Sequence, residues 1–157
     1  ANVIITSRSL AKGQAVADRI NKELGEDRIK VMEVTNAQQT GEAIKDAEIV
    51  CAAGAGGVQL LSAADLKQYG TKVKIVADVN AIPPLGVEGL GSNVDGKEFM
   101  PGVFGLGALA IGKLKIKIEM ELIKRATIEP KGLFHYDIAY EIGKQAIHKK
   151  LAKAKQQ

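Results

Sequence analysis

The run NVIITSRSLAKG, residues 2–13, changes character after Thr6. Residues 2–6 are a continuous apolar stretch of the kind a parallel strand covered on both faces shows. Ser9 is placed to cap a helix over residues 10–24, and Gly25 to close it. Leu10, Gly13, Val16, Ala17, Ile20 and Leu24 share one stripe of that helix and are expected to face inward. A strand that runs straight into a helix is a βα unit, the opening part of a βαβ crossover.

The same alternation continues outward. Residues 29–34 (IKVMEV) read as a strand, 37–47 as a short helix, and 48–53 (EIVCAA) as a strand ending in a glycine-rich loop. Residues 60–69 read as a helix stopped by Gly70, and 74–79 (KIVADV) as a fourth strand. Alternating strands and helices predict an α/β fold, a doubly wound parallel sheet of Rossmann type with right-handed crossovers. Residues 80–102 then turn rich in Gly and Pro, long enough to be functional or to carry a small element. Beyond them, residues 113–118 alternate as a strand would. Ile111, Leu114, Ile118 and Leu122 also make a helical stripe, and the Ala, Glu and Lys content selects a long helix over residues 107–126. A last helix is expected over residues 136–153, with Ala139, Ile142, Ala146 and Ile147 inward.

Composition narrows the possibilities. The 157 residues suffice for one domain with a real core, which must be aliphatic because aromatics are 4% and Trp is absent. The single cysteine, Cys51, excludes an internal disulfide and is expected to be a buried apolar residue of its strand. No run reaches membrane-spanning length and no signal peptide is visible, so a cytoplasmic protein without a membrane partner is expected. The net charge of +4 gathers partly in HKKLAKAKQQ, residues 148–157. Without interleaved aromatics this reads as a solvated helix end whose lysines suit the helix dipole, not as a nucleic-acid arm. His135 and His148 lack companions at ligand spacing, so no metal site is expected.

In a doubly wound sheet, ligands sit outside the carboxyl ends of the strands. At the end of the first strand, Ser7-Arg8-Ser9 stands where many dinucleotide-binding folds place a carboxylate for the adenosine ribose. A guanidinium there makes a bidentate contact with phosphate, the two hydroxyls donate hydrogen bonds, and Lys12 adds a second cation near a helix N-terminus. The stretch therefore predicts NADP over NAD; the plain alternative is a surface arginine beside a capping serine. The loop Gly54-Ala55-Gly56-Gly57 permits close approach to a ribose or nicotinamide, or is a tight turn. Asp78 and Asn80 are placed to bond a carboxamide, or to form an Asx turn. No Ser-His-Asp or Cys-His set is legible, and no catalytic residue is assigned.

Two stretches carry a family resemblance. IVADVNAIPPLGVEGL, residues 75–90, matches a VAD-x-NA-x-PP-x-G pattern, and FGLGALAIGKLKIK, residues 104–117, resembles FGALGIGGLKLK, with Ala110 and Lys113 where that pattern has glycine. KGQAVADRINK, residues 12–22, is a third match. With these the chain resembles the NADP-dependent methylene-tetrahydromethanopterin dehydrogenases. The resemblance implies hydride transfer from a reduced pterin, methylene-tetrahydromethanopterin or methylene-tetrahydrofolate, to NADP, with NAD possible. It implies that Ser7, Arg8 and Ser9 hold the 2′-phosphate, that Thr35 and Asn36 lie near adenine, and that Ala53, Gly54, Ala55 and Gly56 border the nicotinamide ribose. Asp78, Asn80 and the backbone of Gly107, Ala108 and Leu109 would border the nicotinamide. The resemblance also implies a homo-oligomer. Residues 1–106 would form the NADP-binding domain, and residues 107–157 helices packing on it and toward an N-terminal substrate domain.

That family has one more strand and a glycine-rich loop before the segment seen here. The chain is therefore expected to be the C-terminal part of a longer polypeptide, or to take its central strand from a partner chain, with its first and third visible strands unpaired. The alternatives are an NADP-dependent reductase of shikimate dehydrogenase type and a non-catalytic nucleotide-binding module.

Overall fold

In a computed structural model describing residues 1–128, 132 and 134–154, strands and helices alternate as the apolar periodicity dictates. The order is β1 (Val3–Ser7), α1 (Leu10–Leu24), β2 (Ile29–Glu33), α2 (Ala37–Ile44), β3 (Ile49–Ala52), α3 (Ala63–Tyr69) and β4 (Ile75–Asp78). Then follow β5 (Asp95–Met100), β6 (Val103–Leu106), α4 (Ala108–Ile128) and α5 (Tyr136–Ala154). The fold is α/β and Rossmann-like, with parallel sheets.

The sheet is interrupted. β1 and β2 form a parallel pair, with Val3 opposite Ile29 and Ser7 opposite Glu33. A second sheet runs β3-β4-β6-β5, parallel from β3 to β6, with β5 antiparallel at the edge. β1 and β3 do not pair, which agrees with the expected gap between the first and third strands.

One continuous core lies on one face of the larger sheet. Val76 and Ala52 from its strands meet Ile44 of α2, Leu66 of α3, and Val87 and Leu90 of the connection to β5. The opposite face is bare. Ile49 is 63% exposed, and Cys51, Ile75 and Phe104 are exposed as well. Cys51 is thus not buried as expected: its strand lies at a sheet edge with one face uncovered. For the same reason Val3 and Ile4 are open to solvent, and β1 is not covered on both faces.

Helix α1 follows its expected bounds, and Gly25 ends it in the left-handed conformation (φ 67°). Only the Gly13–Ala17 side of its stripe is buried, with Ile20 half-buried. Leu10, Val16 and Leu24 are exposed, because two strands are too narrow a floor for the whole stripe. At Gly13 an added Cβ would stand 3.2 Å from Ser7 Cβ, so the helix rests directly on β1.

Two strands escaped the periodicity. β5 reads DGKEFM, polar because it is an antiparallel edge strand open to water. β6 is four residues and merges in sequence with the helix that follows. Helix α3 begins at Ala63, three residues later than expected, because the N–H groups of Leu60 and Leu61 both donate to Gly86 O (2.8 and 3.0 Å) and Ser62 is the cap. The helical reading of residues 107–126 holds in α4. In α5, Ile142 and Gly143 are buried and Ala139 and Ala146 half-buried, but Ile147 is 45% exposed, on the edge of the buried stripe. No helix among the described residues is long and apolar enough to cross a membrane.

Candidate functional site

The carboxyl ends of the parallel strands carry the predicted residues, in two groups set by the two sheets. The first group is at the ends of β1 and β2. There Ser7 Oγ donates to Ser9 O (2.9 Å) and accepts from Ser9 N (3.1 Å), a tight reciprocal turn that fixes the backbone around Arg8. Ser9 occupies the N-cap position of α1, yet its side chain makes no capping bond. The first-turn N–H groups are thus left without the hydroxyl acceptor that usually serves them. Arg8 and Lys12 are exposed and form no ion pair among the described residues. Two unneutralised cations beside an uncapped helix N-terminus make this strand end electropositive.

The end of β2 joins this group through Val34, whose N–H donates to Ser7 O at 2.9 Å. Thr35 and Asn36 follow, but both have local duties. Asn36 caps α2 by accepting from Gln39 N (3.0 Å). Gln39 Oε1 in turn accepts from Thr35 N (2.8 Å) and Thr35 Oγ1 (2.9 Å), a reciprocal capping arrangement. Sequence reading did not single out Gln39; its spacing of three from Asn36 is the capping-box signal.

The second group is at the ends of β3, β4 and β6. Asp78 is only 1% exposed, and both carboxylate oxygens are engaged. Oδ1 accepts from Asn80 N (2.9 Å) and Oδ2 from Val87 N (3.0 Å). Asn80, also buried, accepts from Ile82 N (3.0 Å) through Oδ1. The polar side chains at this strand end therefore build the loop over residues 79–87, which holds the cis Pro83-Pro84 bond. Gly86 is required there because a Cβ would come within 2.8 Å of Asp78 Oδ1.

That loop lies against the loop after β3. A Cβ on Gly56 would stand 3.3 Å from Asn80 Oδ1 and 3.2 Å from Ile82 Cδ1. Ala53, Gly54, Ala55 and Gly56 are all exposed, so this small-residue shelf stays open to solvent. Ile82 is 62% exposed beside it, an apolar contact surface that sequence reading did not pick out.

The third predicted stretch begins α4. Gly107 N donates to Val94 O (2.8 Å), and Leu109 N donates to Ser92 O (2.9 Å). An added Cβ on Gly107 would collide with the backbone of Gly91 and Ser92. Two of the three N–H groups expected to border a nicotinamide are thus held inside the chain. The glycine is explained by close backbone packing, and the signal that would have shown it is Gly91-Ser92. β6 lies parallel to β4, Leu106 opposite Ala77, so Gly107 stands beside the Asp78 loop.

No cluster of three or more metal-binding side chains occurs among the described residues. His135 and His148 are both exposed and outside these groups.

The site fits a dinucleotide in its chemistry: paired cations and an uncapped helix end at one strand terminus, and a shelf without bulky side chains at another. No protein-family model matches the chain. Among curated proteins it is similar to the bifunctional protein MdtA of Methylorubrum extorquens, 37% identical over 145 residues, or 92% of this chain and 49% of that protein. It is also similar to an NAD(P)-dependent methylenetetrahydromethanopterin dehydrogenase of the same organism, 36% identical over 84 residues, or 53% of this chain and 28% of that protein. The chain spans about half the length of the first of these relatives and about a quarter of the second.

Proposed function

We propose that the chain is the nucleotide-binding portion of an oxidoreductase of one-carbon metabolism. Its substrate is methylene-tetrahydromethanopterin or methylene-tetrahydrofolate, and its acceptor is NADP. The observation that carries this reading is the β1–α1 turn, in which Arg8 and Lys12 stand free beside a helix end that Ser9 leaves uncapped. The similarity to a relative named as an NAD(P)-dependent methylenetetrahydromethanopterin dehydrogenase supports the nicotinamide cofactor and the substrate class.

Arg8 holds the 2′-phosphate through its guanidinium fork, with Lys12 as a second, longer-range cation and the hydroxyl of Ser9 as a donor. Gly54, Ala55 and Gly56 leave room for a ribose to lie against the backbone. The loop braced by Asp78 sets the wall formed by Asn80 and Ile82. When bound, the nicotinamide supplies the hydride acceptor. Oxidation of a methylene bridge between two nitrogens removes a hydride and no proton, so the residues need not present a free base. The engagement of both Asp78 oxygens by backbone N–H groups accords with that chemistry. The chain's contribution is to orient the bound groups.

The test is NADPH production by the natural polypeptide with each methylene-tetrahydropterin, and with a 2-hydroxy acid as control. Reduction of NADP by a methylene-pterin alone is expected. Reduction by the hydroxy acid, or tight NADP binding with no turnover of either pterin, would overturn the reading.

A further inference from the structure

Ser7 and Ser9 flank Arg8, and their hydroxyls are committed differently. The Ser7 hydroxyl has one proton, and it is given to Ser9 O at 2.9 Å. The same oxygen accepts from Ser9 N at 3.1 Å. A phosphate dianion offers only acceptors. A hydroxyl whose proton is already bonded turns lone pairs toward such a group and cannot hold it. The Ser9 hydroxyl makes no capping bond in α1, so its proton stays available to a ligand.

Ser7 and Ser9 are both clamped. Ser7 O accepts from Val34 N (2.9 Å), which ties Ser7 to the end of β2. Ser9 O accepts from Gly13 N (3.1 Å) as well as from Ser7 Oγ, which ties Ser9 to the first turn of α1. Gly13 permits this close approach: a Cβ there would meet Val31 Cγ1 at 2.5 Å and Ser7 Cβ at 3.2 Å. Arg8 therefore has a fixed residue on either side, while it is itself exposed. Holding the backbone at both neighbours restricts the guanidinium before any ligand arrives, so less freedom is lost on binding.

We infer that Ser7 is a positioning residue for NADP selection. It aims Arg8 at the 2′-phosphate through its paired bonds to Ser9 and does not touch the phosphate, whereas the Ser9 hydroxyl donates to it. The two serines thus have unequal roles, where the family resemblance implies a shared one. The inference rests on the reading of Arg8 as the phosphate ligand, and deepens it by naming what makes that arginine selective.

The test is a double-mutant cycle in the natural polypeptide, read by calorimetric titration with NADP and with NAD. Ser7→Ala should bind NADP about 3- to 10-fold more weakly than the parent and Ser9→Ala about 5- to 20-fold, with NAD affinity within about twofold for both. In an Arg8→Ala background, Ser7→Ala should cost less than about twofold more, because no guanidinium is left to aim, while Ser9→Ala should keep most of its loss. Ser7→Thr retains the hydroxyl and should retain the preference for NADP. A Ser7→Ala loss as large without Arg8 as with it makes Ser7 a direct ligand and overturns the inference. Absence of any loss also overturns it, and so does an equal loss for NAD, which marks a general effect on the fold. Ser9→Ala without effect overturns the unequal roles. Arg8→Ala with unchanged NADP affinity overturns the underlying reading and the inference together; where Arg8→Ala does lose affinity, a failure at Ser7 overturns the positioning role alone.

Discussion

Asp78 and Val87 are joined across nine residues by a buried hydrogen bond, Val87 N to Asp78 Oδ2 at 3.0 Å. With the bond from Asn80 N to Oδ1, it makes the aspartate the brace of the loop that follows β4. Asp78→Ala leaves two buried N–H groups without acceptors and should destabilise the fold by about 3 kcal/mol. Asp78→Asn keeps one carbonyl acceptor and should cost less. Urea denaturation measures both; an alanine variant within about 0.5 kcal/mol of the parent would show that the brace carries no stability.

Two glycines of one segment should respond with opposite signs. At Gly107 a methyl group meets the backbone of Gly91 and Ser92, which cannot rotate away, so Gly107→Ala should lose about 2 kcal/mol or more. At Gly112, inside α4, a Cβ meets nothing, and Gly112→Ala should gain about 0.5–1 kcal/mol from helix propensity. Thermal melts of the two variants should shift in opposite directions. A shift of the same sign would contradict the placement of β6 against the loop at Gly91.

Most of this fold is visible in the apolar pattern, because β2 to β4 and helices α1 to α4 each bury at least one residue, and β1 keeps its strand although Val3 and Ile4 stay open to solvent. The pattern fails where water replaces a neighbour. β5 is polar as an edge strand, and Leu10, Cys51 and Ile147 are apolar residues left exposed where nothing among the described residues covers them. The candidate site divides in the same way. Arg8 and Lys12 are legible because two cations at a strand end have no local use. Asp78, Thr35, Asn36 and Gly107 sit at the strand ends as expected, but their bonds run to Val87, Gln39 and Val94, partners that spacing alone does not reveal.

The ion pair of Asp46 with Lys72 (2.6 Å) ties the end of α2 to the turn before β4. The hydrogen bond from Lys72, and then its charge, hold the Asp46 carboxyl below its ordinary value. A carboxyl lowered on folding adds stability above its unfolded pKa and loses it as pH falls through the lowered, folded value. Lys72→Ala should therefore remove a small part of the acid-side slope of stability against pH, and less of it at high salt, because the pair is exposed. Urea midpoints at several acidic pH values measure the difference. An equal slope in parent and variant at low salt would contradict it.

Arg8 as the reader of the 2′-phosphate is the central claim, and calorimetric titration of the natural polypeptide with NADP and with NAD tests it most directly. The parent should bind NADP at least about 10-fold more tightly than NAD. Arg8→Ala should lose about 10- to 100-fold in NADP affinity, as expected for a charge-assisted bidentate contact, with NAD affinity unchanged within about twofold. Equal loss for both nucleotides, or no loss for either, would contradict the account.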